Sequence, residues 1–297
     1  MTDFVALFTG QGSQFAGMGK DLYDHSTKAR EVLDRAEAAL PGLRELCFEG
    51  PEEKLVLTEN TQPCVLAVDV AAFVASGRVP AAAAGHSLGE YAALVAAGSL
   101  GLEHALPLVR TRARAMQEAV PAATGGMVVL RPVGLEEARV LAAAVESGPC
   151  NLANPNPPGP SRLSGYMAAI VGIARHPAPR PWTPPRRVPF HSSLLREAGE
   201  QFALELDQIE FEDPAFPIAC NVDARLVTTG ADARDALKRQ FAGSVLWQQS
   251  MELLLDEGYR DFVEFGPKPT LSRMIVQIAR AKDCEVTSGA VTTSADL

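Results

Sequence analysis

Short apolar runs of strand length alternate with longer segments of helical spacing along almost the whole chain. That rhythm restricts the fold to the α/β class with a mainly parallel sheet, because consecutive parallel strands need helical crossovers between them. Phe4 to Phe8 reads as a first buried strand. Helical patterns follow at Thr27 to Leu40 and Thr61 to Ala75, then a weak strand at Val79 to Ala84, weak because alanine packs little surface. Further helices are expected at Glu90 to Ala97 and at Leu102 to Val120, the second closed by Pro121. Between about Gly125 and Val188 the texture changes to a strand at Met127 to Leu130, a helix at Leu135 to Glu146 and a segment rich in proline and glycine. Six prolines fall between Pro177 and Pro189, enough to break a helix or strand there. The α/β rhythm then returns, with helices at Leu194 to Leu206 and Val245 to Asp256 and strands at Phe216 to Asn221 and Asp261 to Phe265. The sequence thus predicts a large core from residues 1–123 and 190–297, interrupted by a small subdomain at 124–189.

Composition narrows the function. The chain has 297 residues, 47% of them hydrophobic and 21% charged, which suits a packed enzyme-sized core and excludes a wholly disordered chain. Twenty-seven Lys and Arg stand against 36 Asp and Glu, a net charge of −9, which argues against nucleic-acid binding. The five cysteines, Cys47, Cys64, Cys150, Cys220 and Cys284, form no C-x-x-C pair and suggest neither disulfides nor a zinc site. The amino terminus lacks the apolar run of a signal peptide, and no stretch approaches the roughly 20 apolar residues of a membrane helix. A cytoplasmic protein with no metal site and no membrane partner is the expectation.

Gly85-His86-Ser87-Leu88-Gly89 is a G-x-S-x-G pentapeptide between a short apolar run and a helix. In that context the serine occupies a sharp strand-to-helix turn, where flanking glycines avoid collision with neighbouring backbone. Ser87 then faces a cleft, and the amide of Leu88 lies at a helix amino terminus whose partial positive charge favours an oxyanion. An ordinary glycine-rich turn with an exposed serine is the competing reading. His86, adjacent on the turn, is read as a packing residue. Of the other histidines, His25 and His104 fall in polar helical stretches. His191, in Val188-Pro189-Phe190-His191-Ser192-Ser193, sits at a strand end before a helix and is the candidate general base.

With these residues in place, the chain resembles the malonyl-CoA:acyl carrier protein transacylases and the related acyltransferase domains of polyketide synthases. The resemblance rests on Phe8-Thr9-Gly10-Gln11-Gly12-Ser13-Gln14, Gly17-Met18-Gly19, Thr61-Gln62-Pro63 and Gly85 to Tyr91. It continues through Arg112 to Met116 with Gln117 to Pro121, Phe190-His191-Ser192, Asn221-Val222-Asp223 and Glu264-Phe265-Gly266-Pro267. It implies a hydrolase-like core with a small ferredoxin-like α+β insert, and a ping-pong transfer through Ser87 from acyl-CoA to the phosphopantetheine thiol of an acyl carrier protein. No bound cofactor is implied, acyl-CoA being a substrate. It further implies an oxyanion hole from the amides of Gln11 and Leu88, a backbone carbonyl at Leu246 orienting His191, and Arg112 pairing with the free carboxylate of a malonyl-type group. A planar guanidinium offers a carboxylate two parallel donors, which selects a diacid over a neutral chain. Leu88 and Phe190 resemble the malonyl-selecting members, with the bulk of Phe190 excluding an α-methyl group.

Residues 147–196 contain no Asp or Glu but six arginines: Arg162, Arg175, Arg180, Arg186, Arg187 and Arg196. Carrier proteins are typically acidic, and the first five of these arginines are the expected docking surface. A solvated irregular loop is the alternative. An acyl-thioester hydrolase, or a carrier-binding module without catalysis, are the other functions this sequence would serve.

Overall fold

The computed structural model describes residues 3–121, 124–131, 137, 140, 142, 150–154, 161–174, 180–181 and 188–297. Two sheets organise them. The larger holds six strands in the order β10-β9-β1-β2-β7-β8, where β1 is Phe4–Phe8, β2 Ala82–Gly85, β7 Ile218–Ala219, β8 Leu226–Val227, β9 Asp261–Phe265 and β10 Thr287–Val291. All neighbours run parallel except β8 against β7.

β1 is central and wholly buried, and its side chains alternate between two cores. Phe4, Ala6 and Phe8 face one side with Val263 and Phe265; Val5 and Leu7 face the other with Phe262, Trp247 and Ile275. This is the continuous apolar run that a strand covered on both faces requires. β2, spelled Ala-Ala-Ala-Gly, has little intrinsic strand preference, and its small residues instead let the following helix, Leu88–Ala96, pack closely on the sheet. The helix Thr58–Ser76 is buried along most of its length despite an internal Pro63, and it packs on the helices Thr27–Ala39, Leu88–Ala96 and Leu102–Glu118.

The smaller sheet is antiparallel, in the order β4-β5-β3-β6, from β3 Gly125–Arg131, β4 Cys150–Asn154, β5 Ser161–Tyr166 and β6 Arg180–Pro181. A helix, Met167–Ala174, connects β5 to β6, and Glu137, Val140 and Ala142 are helical between β3 and β4. In chain order this sheet reads second-third-first-fourth, the arrangement of a ferredoxin-like unit. The proline-rich stretch does not remove its last strand, because β6 needs only two residues at an edge, where proline's missing N–H is tolerated. Hydrogen bonds to β4 fasten this sheet to the core: Val245 N–H donates to Ala153 O (2.9 Å), Ser244 Oγ to Leu152 O (2.6 Å), and Ser193 N–H and Oγ to Asn151 Oδ1 (3.0 and 2.9 Å).

The ends of β1, β2, β7 and β9 lead into the loops carrying Gln11, Ser87, Asn221 and Thr270, so the cleft lies at the carboxyl edge of the parallel sheet, where α/β folds place their ligands. No described helix is long and apolar enough to cross a membrane, and no cluster among the described residues could hold a metal ion.

Candidate active site

A cavity of about 330 Å³ opens between the two sheets, lined from the core by Gln11, Gln62, Ser87, Leu88, Arg112 and His191 and from the small sheet by Met127, Val129 and Arg162. Ser87 stands between β2 and the helix Leu88–Ala96 with φ 56° and ψ −99°, a conformation that L-residues rarely adopt. Asn221 holds it there: its Oδ1 accepts from Ser87 N–H (2.6 Å), and its Nδ2 donates to Gly85 O (2.8 Å). A side chain at Gly89 would come within 2.2 Å of Phe8 O, so the second glycine of the pentapeptide is what lets the elbow lie against β1.

Ser87 Oγ lies 2.7 Å from His191 Nε2. His191 also has positive φ, 55°, and is 5% exposed. Its Nδ1 faces two carbonyls, Gly243 O at 3.1 Å and Gln240 O at 3.3 Å. Carbonyls only accept, so Nδ1 carries the hydrogen and Nε2 is the acceptor for the serine hydroxyl. Burial, reinforced by the charge of Arg112, holds this imidazole down to about 3, so it is neutral at physiological pH. The carbonyl expected to orient it, Leu246, is elsewhere: it opens the helix Trp247–Asp256 by accepting from Ser250 N–H (2.9 Å) and Ser250 Oγ. The turn at Gly243, three residues earlier, brings the main chain past the imidazole instead.

Gln11 and Leu88 line the cavity, and no hydrogen bond from either backbone amide to another described residue is found. The loop carrying Gln11 is pinned from behind, with Ser13 Oγ donating to Gly10 O (3.0 Å) and Thr9 Oγ1 to Asp69 Oδ1 (2.7 Å). Gly10 lies so close to the elbow that a Cβ there would stand 2.6 Å from His86 O. His86 itself packs near Trp247, ring centroids 5.5 Å apart, and is kept neutral by burial.

Arg112, 1% exposed, donates through Nη1 to Gln62 Oε1 (2.8 Å) and through Nη2 to Gln240 Oε1 (2.9 Å) and Ser87 Oγ (3.2 Å). Two residues that the sequence did not single out complete this wall. Gln240 bridges it, donating from Nε2 to Ser87 O (2.9 Å) and Glu90 Oε2 (2.8 Å) while its carbonyl faces His191. Glu90 is fully buried and accepts from Asn221 N–H (3.0 Å); burial raises its carboxyl to about 7. Glu264, in the Glu-Phe-Gly-Pro segment, caps the helix Leu271–Ala281 by accepting from the amides of Thr270, Leu271 and Ser272, which sets Thr270, Leu271 and Met274 on the cleft's rim.

Phe190 lines the cavity, half-buried beside His191. The expected docking arginines divide. Arg162 does not face outward on a docking surface but lines the cleft, because β5 forms one of its walls. The backbone of Arg180, on β6, pairs with that of Arg131 on β3. Arg175, Arg186 and Arg187 lie outside the described residues.

A serine on a strand-to-helix elbow, a neutral imidazole oriented by main-chain carbonyls and two open amides define the class of enzymes that work through an acylated serine. The acyl transferase domain family matches residues 5–292, and the chain belongs to that family. It is 38% identical to malonyl CoA-acyl carrier protein transacylase of Bacillus subtilis strain 168, over 94% of this chain and 92% of that one. The corresponding protein of Salmonella typhimurium is also 38% identical, over 94% and 93%. Among solved structures, an acyl-carrier-protein S-malonyltransferase from Burkholderia pseudomallei superposes with a TM-score of 0.93 at 35% identity, covering 99% of this chain and 98% of that one. A malonyl-transacylase in complex with its type II polyketide acyl-carrier protein superposes with a TM-score of 0.90 at 32% identity, covering 99% and 97%.

Proposed function

We propose that this enzyme transfers a malonyl or similarly small dicarboxylic acyl group from coenzyme A to Ser87 and on to the phosphopantetheine thiol of an acyl carrier protein, in fatty acid or polyketide synthesis in the cytoplasm. In this reading residues 124–189 are the small unit that closes the cleft over a core made of residues 1–123 and 190–297. The observation that carries it is the direct contact between Arg112 and the nucleophile, with Nη2 3.2 Å from Ser87 Oγ. A guanidinium at that distance meets the far end of a short acyl chain bound to the serine, where malonyl has its carboxylate and acetyl has nothing. The relatives named for malonyl transfer support the same substrate.

The chemistry follows from the geometry. Ser87 Oγ attacks the thioester carbonyl as its proton passes to His191 Nε2, and the carbonyl oxygen takes the negative charge between the amides of Gln11 and Leu88. Collapse of that intermediate breaks the C–S bond, and His191 returns the proton to the departing sulfur. The carrier thiol then repeats the sequence in reverse, leaving Ser87 free. The proton that His191 Nδ1 keeps throughout points at the carbonyls of Gln240 and Gly243, which stabilise the transient imidazolium in place of a carboxylate.

Intact-protein mass spectrometry after mixing with malonyl-CoA tests this. A malonyl adduct on Ser87 that disappears as a holo carrier protein gains it is the expected result. Ser87→Ala removes the adduct and lowers transfer by roughly 10³-fold or more. Free malonate without carrier loading would point to a hydrolase, and no adduct at all to a binding module.

A further inference from the structure

A fully buried acid stands behind the loop that carries Gln11. Asp69 belongs to the helix Thr58–Ser76, is 0% exposed, and its Oδ1 lies 2.7 Å from Oγ1 of Thr9, the residue that follows β1. Thr9 Oγ1 lies 3.0 Å from Ser13 Oγ, and Ser13 Oγ lies 3.0 Å from Gly10 O. The three contacts form one chain from the helix to the loop. Thr9 and Ser13 are themselves buried, and a Cβ on Gly266 would overlap both Asp69 Oδ1 and Thr9 Oγ1, so main chain rather than solvent covers the pair.

The hydrogens of this chain can be counted. Two hydroxyls supply two, and the carbonyl of Gly10 supplies none. An ionised Asp69 only accepts, which leaves one of the three contacts with two oxygens and no hydrogen between them. A proton on Asp69 Oδ1 gives every contact its own: Asp69 donates to Thr9, Thr9 to Ser13, and Ser13 to Gly10 O. The surroundings of the acid agree. Asp69 Oδ2 is buried with no hydrogen-bond partner among the described residues, which a neutral acid tolerates far better than half of a carboxylate does. Burial raises this carboxyl well above the usual carboxylate range and outweighs the Thr9 hydrogen bond, and the charge of Glu264 on β9 adds to the rise.

We propose that Asp69 is a positioning residue of the transfer site, a neutral acid whose hydrogen completes the chain through Thr9 and Ser13 and so fixes the main chain that presents the Gln11 amide. The inference rests on the reading of that amide as an oxyanion donor.

Two measurements test it, and Asp69→Asn serves both, because a neutral amide keeps the size of the acid and can donate to Thr9 without a titrating proton. The first is denaturant unfolding of the full chain and of Asp69→Asn from about pH 4 to about pH 7. An acid that is protonated in the fold but has its ordinary value of 3.8 when unfolded contributes stability that is complete below 3.8 and is lost as the pH rises toward the folded value. The folding equilibrium of Asp69→Asn should therefore gain on that of the wild type by roughly tenfold per pH unit until the folded acid itself ionises. The histidine contributions are common to both chains and cancel. A gap that does not change with pH means that Asp69 is ionised in the fold and overturns the proposal.

The second measurement is steady-state transfer. Asp69→Leu, which cannot donate, should lower kcat roughly 10-fold at unchanged KM, less than the roughly 10²- to 10³-fold cost of removing an oxyanion donor outright, and Asp69→Asn should recover most of the loss. Thr9→Val cuts the same chain at its next link with little change in size; it should lose as much, and it replaces Asp69→Leu if that variant does not fold. Wild-type kcat without the chain, or an equal loss in Asp69→Asn, overturns the positioning role. Acylation of Ser87 in the unaltered chain is scored separately. Its failure would refute the transfer reading, whereas the unfolding comparison, which involves no acylation, still decides the proton on Asp69.

Discussion

On the core side of the cleft, Arg112, Gln240, Asn221 and His191 are each held by two or more hydrogen bonds, several of them to one another. On the small-sheet side the cleft meets Met127, Val129 and Arg162, two apolar side chains and one cation projecting from antiparallel strands. The core wall can fix reacting atoms to within a few tenths of an ångström, which proton transfer and oxyanion stabilisation require. The small-sheet wall shapes and charges the space the substrate fills. The contrast sets the hydrogen-bonded reacting groups, with Arg112 beside them, on one wall and a sparsely polar lining on the other.

The comparison is tested most severely at Gln240. Gln240→Ala removes the bonds to Arg112, Glu90 and Ser87 O but leaves the carbonyl that faces His191. A fall in kcat of roughly 10- to 100-fold is expected, since buried partners are left unsatisfied and Arg112 is freed. Wild-type turnover would show that the core wall is less coupled than its bonds suggest.

Acid comes next. His191 and His86 are both held down to about 3 by burial, against an ordinary 6.5. On acidification the unfolded chain therefore takes up protons first, so the stability these groups contribute is present above 6.5 and is lost as the pH falls toward 3. Denaturant titrations should show that decline, and His86→Asn should flatten it. The single-turnover acylation rate should by contrast stay level through the region of 6.5, because the base is already neutral there. A limb centred near 6.5 would mean that His191 titrates like an exposed imidazole.

The smallest effect is expected across the cleft. Met127→Ala should raise KM for the acyl donor by about 3- to 10-fold and leave kcat nearly unchanged, as loss of apolar contact in a pocket does. A fall in kcat as large as that of Gln240→Ala would erase the division between the walls.

Much of the core wall is legible in the sequence because its parts have stereochemical signatures. A nucleophile elbow needs glycine where the backbone of β1 closes on it, and G-x-S-x-G declares as much at Gly89. A carbonyl has no such signature, since every residue carries one. The resemblance therefore points to Leu246, whereas the carbonyls that face His191 are those of Gln240 and Gly243. Gln240 was also hidden by its neighbours, a lone amide ending the charged helix Gly230–Gln240. Composition counted the arginines of residues 147–196 correctly but says nothing of direction, and a strand that walls the cleft turned Arg162 from an expected docking group into a lining one. At the far edge β10, spelled Thr-Ser-Gly-Ala-Val, carries no strand signal in the sequence because an exposed edge strand needs no apolar run.

Ser87 and His191 both sit at φ near 55° (56° and 55°), on main chain that a relaxed peptide would leave at once. Each such conformer costs about 1–3 kcal/mol, supplied by the packing around it. A slight loosening of that packing, by warmth or dilute denaturant, should let both turns relax while the sheets stay intact. The protein should then fall silent as a catalyst before its circular dichroism changes, so its working lifetime is set by two local turns rather than by the melting of the whole.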